Sequence, residues 1–209
     1  TQFKRSAQAL TENKPVIFGK PNLPDKEVEI FFDLEATTPD ETLNVPEQKN
    51  YLFGIIIRKN GKEEYTPIVA NTLEEEEKIF REFLDIISKE EDFIIYYYSF
   101  FEKMHLTRMF EEYKIDEKIK RRVFDNMIDL RDEIKKSIVF PTTKNGLKEI
   151  ANYLGFKWRH KDVNAMDSMA WYIEFLEKGD KGKLQKIIDY NEDDCKATMI
   201  IKDWLKSKL

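Results

Sequence analysis

The sequence predicts an α/β fold in which a mixed β-sheet is covered by helices. Three observations lead there. Asn60-Gly61 stands between two strand-like runs, a strong hairpin signal, so the first half contains antiparallel pairing. Residues 93–98 form a short, unbroken apolar run between two helical patterns, as a buried parallel strand does. Beyond residue 130 only helical periodicity remains.

Taken in order, residues 1–27 read as peripheral, with a short helix at 8–13 and a connecting arm at 14–25 that holds Pro15, Pro21 and Pro24. Residues 28–35 read as a strand and 36–50 as a polar loop with Pro39 and Pro46. The hairpin follows as strands 51–58 and 63–70, with Pro67 pointing to an edge position. Asn71-Thr72 can cap a helix to about 88, where Ile79, Phe80, Phe83, Leu84 and Ile87 recur at helical spacing. After the strand at 93–98 come helices at 101–113 and 116–123 and a short strand within 123–130. The remaining helices are expected at 130–137, 144–153, 163–178 and 183–206.

The 209 residues suit one large domain, and 41% hydrophobic residues can fill a sizeable core. No apolar run approaches the roughly 20 residues of a membrane span. A lone cysteine, Cys195, excludes an internal disulfide and suits the reducing cytoplasm. The net charge of −5 does not mark a nucleic-acid binder, nor does it exclude one, because clustered acids mask local basic patches.

The acids are the main clue. Residues two apart on a strand share a face, so Asp33 and Glu35 point the same way at the end of a very apolar strand. Alone, such a pair would simply lie beyond the strand in solvent. The last helix makes a stronger case. At about 100° per residue, Ile187, Tyr190, Asp194, Thr198, Ile201 and Leu205 fall in one stripe. Asp194 therefore sits on the inward face, one turn after Tyr190, while Asp193 is expected to face solvent. Glu102, Leu106, Met109 and Tyr113 form a similar stripe, with Glu102 in a first turn where the helix dipole alone also favours an acid. Unpaired carboxylates facing a core are costly, and four that converge repel one another. Hard cations such as Mg²⁺ or Mn²⁺ resolve both difficulties, and a pair of them is the usual clamp for displacement at phosphorus.

These residues resemble, in order, the motifs of the DEDD (DnaQ-like) exonucleases of the ribonuclease H-like superfamily. Asp33-Leu34-Glu35 resembles the first motif, Tyr97-Tyr98-Ser99-Phe100-Phe101-Glu102 the second, and Tyr190-Asn191-Glu192-Asp193-Asp194 the third in its tyrosine form. A narrower resemblance is to the YprB-like domain often joined to a RecB-like nuclease. Tyr51-Leu52-Phe53-Gly54, Ile128-Asp129-Leu130 and the segment from Leu147 to Phe156 look like its landmarks, and the likeness covers residues 26–206. One departure stands out: Glu102 occupies a position where most of these enzymes have Asp.

The resemblance implies a ribonuclease H-like fold, a mixed five-stranded sheet with three antiparallel strands then two parallel ones and helices on both faces. It implies an exonuclease domain at 26–209, with 1–25 an arm from an upstream domain, an expectation that the start at Thr1 suits. It also implies a 3′–5′ exonuclease using two Mg²⁺ or Mn²⁺ ions held by Asp33, Glu35, Glu102 and Asp194, acting on nucleic acid, with single-stranded DNA ends favoured. The phenol of Tyr190 would orient the attacking water rather than serve as a base. Trp158 and Arg159, with Lys103 and Lys144, are the candidate nucleic-acid contacts. The alternative is a non-catalytic ribonuclease H-like module that binds nucleic acid or a neighbouring domain. His105 is expected at a partly buried surface position, and the basic run Lys118 to Arg122 as a solvated helix face.

Overall fold

The apolar run at 28–36 becomes the middle of a sheet because both of its faces are covered. Its two sets of alternating side chains enter two separate cores. In the computed structural model residues 1–43 and 45–208 are described; Asn44, within the loop 36–50, and Leu209, the last residue of the expected domain, lie outside the described residues.

Helix α1 (Gln2–Glu12) and strand β1 (Val16–Ile17) precede the central strand β2 (Val28–Ala36). Strands β3 (Asn50–Lys59) and β4 (Lys62–Val69) form the hairpin, and Asn60 and Gly61 take φ of 53° and 73°, the left-handed pair that a tight turn requires. Helix α2 (Glu76–Ser88) leads to β5 (Phe93–Tyr97), then α3 (Phe100–Glu112), α4 (Glu117–Asp125) and β6 (Met127–Asp129). The chain ends with α5 (Leu130–Ser137), β7 (Ile138–Val139), α6 (Leu147–Tyr153), α7 (Ala165–Lys178) and α8 (Lys181–Lys206).

The main sheet has the order β4-β3-β2-β5-β6. β4, β3 and β2 run antiparallel; β5 and β6 run parallel to β2. Pro67 lies on the edge strand β4, where a missing N–H is tolerated. Val28, Ile30, Phe32 and Leu34 pack with Phe80 and Phe83 of α2 and Leu106 and Met109 of α3. Phe31 faces the opposite core, with Ile134 of α5, Ile150 of α6 and Ile201 and Leu205 of α8.

The N-terminal segment departs from expectation. α1 spans eleven residues, and β1 pairs with β7 in a two-stranded sheet that no local pattern announces. Ala9 and Leu23 are buried, while most other residues of α1, including Phe3 and Leu10, are exposed. Helix α6 starts at Leu147, not 144, with Gly146 extended at its N-cap.

Candidate metal centre

The parallel register of β2, β5 and β6 brings their C-terminal ends to one edge of the sheet. Asp33 and Glu35 continue the face of β2 that begins with Phe31, the face that α8 covers. A register shift between Glu35 and Ala36 ends the regular pairing there. α8 approaches β3 so closely that a Cβ on Gly54, the residue paired with Asp33, would lie 1.5 Å from Asn191 Oδ1. Glycine at 54 thus lets α8 deliver Asn191 and Asp194 to the end of β2.

Carboxylate oxygens of Asp33, Glu35 and Asp194 lie within 4.8 Å of one another. Glu35 and Asp194 are 5% and 7% exposed, too little for water to solvate three charges at such spacing. Few donors reach these acids. Asn191 Nδ2 donates to Asp33 Oδ2 at 2.7 Å, and Tyr65 Oη fixes that amide by donating to Asn191 Oδ1 at 2.9 Å. Trp158 Nε1 donates to Asp194 Oδ1 at 2.7 Å. Tyr51 Oη reaches Glu35 Oε2 at 3.5 Å and is itself paired with Ser168 Oγ at 2.8 Å.

Glu102 stands outside this close set of three. It opens α3 directly after β5, it is buried, and its Oε2 has no hydrogen-bond partner. The turn that aims it is strained: Ser99 has φ of 90°, unusual for a residue with a side chain. Asp129, at the end of β6, holds that turn by accepting from Ser99 N at 2.9 Å and also caps α5.

Burial and mutual repulsion govern the titration. Burial, then the charge of Asp194, pushes Glu35 up to about 8, against the pull of Ser168, Lys148 and Tyr51. Burial raises Asp194 to about 6, while Trp158, Lys148 and Tyr190 favour its charged form. Asp33 is raised well above its ordinary value by burial and by Asp194, Glu35 and Glu102. Glu102 is raised by burial and then by Asp129, Asp194 and Glu35. Tyr190 is held far above a normal phenol by burial and by Asp194, Glu35 and Asp33, so it remains protonated and keeps an O–H to donate.

A cavity of 260 Å³ opens over the three acids, walled by Leu34, Ala36, Phe101, Met166, Met169 and Tyr190 among others. Lys148 of α6 supplies a cationic influence on Glu35 and Asp194, with its Nζ 4.7 Å over the Tyr190 ring and bonded to Val163 O.

The expected nucleic-acid contacts are held differently from one another. Arg159 is not free for phosphate: Asp193, Glu192 and Asp189 already neutralise it, at 2.9, 2.7 and 3.2 Å. Asp193, expected in solvent, is buried beneath that guanidinium. Trp158 turns its N–H inward to Asp194 rather than away from the site. Lys144 lines a separate cavity beside α1 and β7, and Lys103 lies over the Phe124 ring. His105 is fully buried against Phe101, with no partner for either ring nitrogen. Sequence reasoning did not single out Lys148, Asn191, Ser168 or Tyr65 as parts of the site. Asn191 and Lys148 sit inside motif-like segments, but Ser168 and Tyr65 carry no local signal.

The donor set fits hard divalent cations: all oxygen, anionic, close together and short of protein donors, with a further orphaned carboxylate oxygen on Glu102. A family model of the ribonuclease H superfamily, RNase_H_2, matches residues 30–206. No curated protein and no solved structure matches the chain.

Proposed function

The chain belongs to the ribonuclease H superfamily, and on that premise we propose that it is a divalent-metal-dependent 3′–5′ exonuclease of the tyrosine DEDD kind, YprB-like, acting on single-stranded DNA ends. The observation that carries the reading is the convergence of Asp33, Glu35 and Asp194 within 4.8 Å at the floor of a cavity. Those three residues would hold Mg²⁺ or Mn²⁺, with Glu102 completing the set. Two such ions, when bound, supply Lewis acidity and an activated water for in-line displacement at phosphorus.

The protein's own residues do the rest. The cavity has apolar walls at Leu34, Phe101, Met166 and Met169 that suit a terminal base and sugar. Tyr190, kept protonated, donates toward the reaction centre and orients water or phosphate. Lys148 draws the phosphate toward the acids by charge. Asn191 occupies one oxygen of Asp33, and Trp158 one oxygen of Asp194, which fixes both carboxylates and aims their remaining oxygens.

The test is degradation of 5′-labelled single-stranded DNA with Mn²⁺ or Mg²⁺, comparing the wild type with Asp33→Asn and Asp194→Asn. The expected result is a ladder shortening from the 3′ end, reduced on the order of 10³-fold in both variants. Absence of cleavage on DNA and RNA with either metal, or cleavage that survives both substitutions, would replace this reading with that of a binding module.

A further inference from the structure

Beside the carboxylate cavity lies a larger groove, 800 Å³ against 260 Å³. It runs between α6 and the segment 157–164. The chain as a whole is acidic, at −5, yet this groove is lined by Lys148, Lys157 and Lys161, with Asp162 as its one acid among the described residues. Lys157 and Lys161 are exposed and form no ion pair among the described residues. His160 also lines the groove, but its Nε2 lies 3.3 Å from Asp189. Between the lysines are apolar surfaces, Val163 and the indole of Trp158, which Phe156 braces edge-on at 4.8 Å.

The groove and the catalytic cavity share a wall. Trp158 lines the groove while its N–H holds Asp194 in the cavity. Lys148 lines the groove while its ammonium sits over the ring of Tyr190, which lines the cavity. Asn164 lines the groove and Ala165, the next residue, lines the cavity, so the two lie side by side.

We propose that this groove is the track for the single-stranded segment that leads to the terminus in the cavity. Lys157 and Lys161 contact backbone phosphates, and the apolar stretch at Trp158 and Val163 carries bases. The mix of unpaired cations and flat apolar surface matches a strand whose charges and bases alternate, and it matches neither a purely apolar peptide nor a rigid duplex. Arg159 takes no part, because its charge is already neutralised by three acids. The proposal deepens the reading of the cavity as a nucleic-acid site.

The experiment is fluorescence anisotropy of a labelled phosphorothioate oligothymidylate, which resists hydrolysis, titrated with the whole chain in Ca²⁺ over a range of salt. Lys157→Gln combined with Lys161→Gln is expected to weaken binding roughly tenfold and to flatten the plot of log K against log salt by about 0.7 for each lysine. A charge-matched double variant on α4, Lys118→Gln with Arg121→Gln, is expected to keep both affinity and slope. Equal behaviour of the two double variants overturns the proposal, as does a wild-type chain that binds no oligonucleotide. The groove and the exonuclease reading fail separately. Groove-dependent binding without a degradation ladder sinks the exonuclease alone; a ladder with unchanged binding in the groove variant sinks the groove alone.

Discussion

Glu76 and the group formed by Asp33, Glu35 and Asp194 bury acid in the same chain in opposite ways. Glu76 is 1% exposed, and its oxygens are fully occupied. Oε1 accepts from Asn50 N and Nδ2 at 2.6 and 2.7 Å; Oε2 accepts from Tyr113 Oη at 2.5 Å. Arg108 pairs with both oxygens, and Lys49 adds a cation at 3.6 Å. Burial pushes the Glu76 carboxyl up, but these partners outweigh it and hold the group below its ordinary value. Asp33, Glu35 and Asp194 have few donors and little positive charge nearby, so burial wins and each is raised. A protein that can build so complete a cage for Glu76 leaves these acids short of partners where a cation from outside can supply them. That contrast separates a caged structural carboxylate from a candidate metal ligand more sharply than burial alone.

The most severe way to break the contrast is to remove the caged charge. Glu76→Gln leaves Arg108 without its main counter-ion and should cost about 3–5 kcal/mol in urea unfolding. A loss below about 1 kcal/mol would mean that the cage contributes little. The equivalent acid-to-amide substitution at the site should have the opposite sign. Asp194→Asn removes repulsion while its side-chain oxygen still accepts from Trp158, so the metal-free protein should gain about 1–2 kcal/mol even as activity is lost. A lower melting temperature for this variant in EDTA would show that the acids are structural after all.

A smaller effect, of a few degrees in melting temperature, should appear with pH. Glu35 and Asp194 are raised to about 8 and about 6, above their unfolded values, so the fold favours their protonated forms. Their stabilising contribution is complete below the ordinary carboxylate range and is lost as pH rises through 6 and then 8. Glu76, being lowered, behaves in the opposite sense: its contribution is present above the ordinary carboxylate value and is lost as pH falls. Melting curves in EDTA from pH 5 to 9 should therefore decline on the alkaline side, and saturating Mn²⁺ should remove that decline. A decline that persists with Mn²⁺ would assign it to other groups.

Much of this molecule was legible because its signals are periodic or local. The hairpin at Asn60-Gly61, the edge position of Pro67 and the buried strand at 93–97 all follow from a few neighbouring residues. The inward placement of Asp194 follows from one helical stripe. The same stripe logic failed for its neighbour Asp193, because a helix packed on more than one side has no single solvent face: the segment at 158–160 covers α8 there and buries the acid under Arg159. His105 was misplaced for a related reason, since only the packing of α3 against its neighbours closes that position.

By itself, then, the sequence determined most strands and helices, their α/β arrangement and the inward placement of Asp194, since each depends on side-chain period along one element. Only the tertiary structure decided how those acids are held. The amide of Asn191 is set by Tyr65, 126 positions away, and Asp194 is fixed by Trp158 from another segment, at a separation of 36. It alone also showed that Arg159 is neutralised while Lys157 and Lys161 stay open beside the cavity. Hydrogen bonds and charge pairs of this kind have a range of a few ångströms in space and none along the chain, so they exist only once the helices have closed on the sheet.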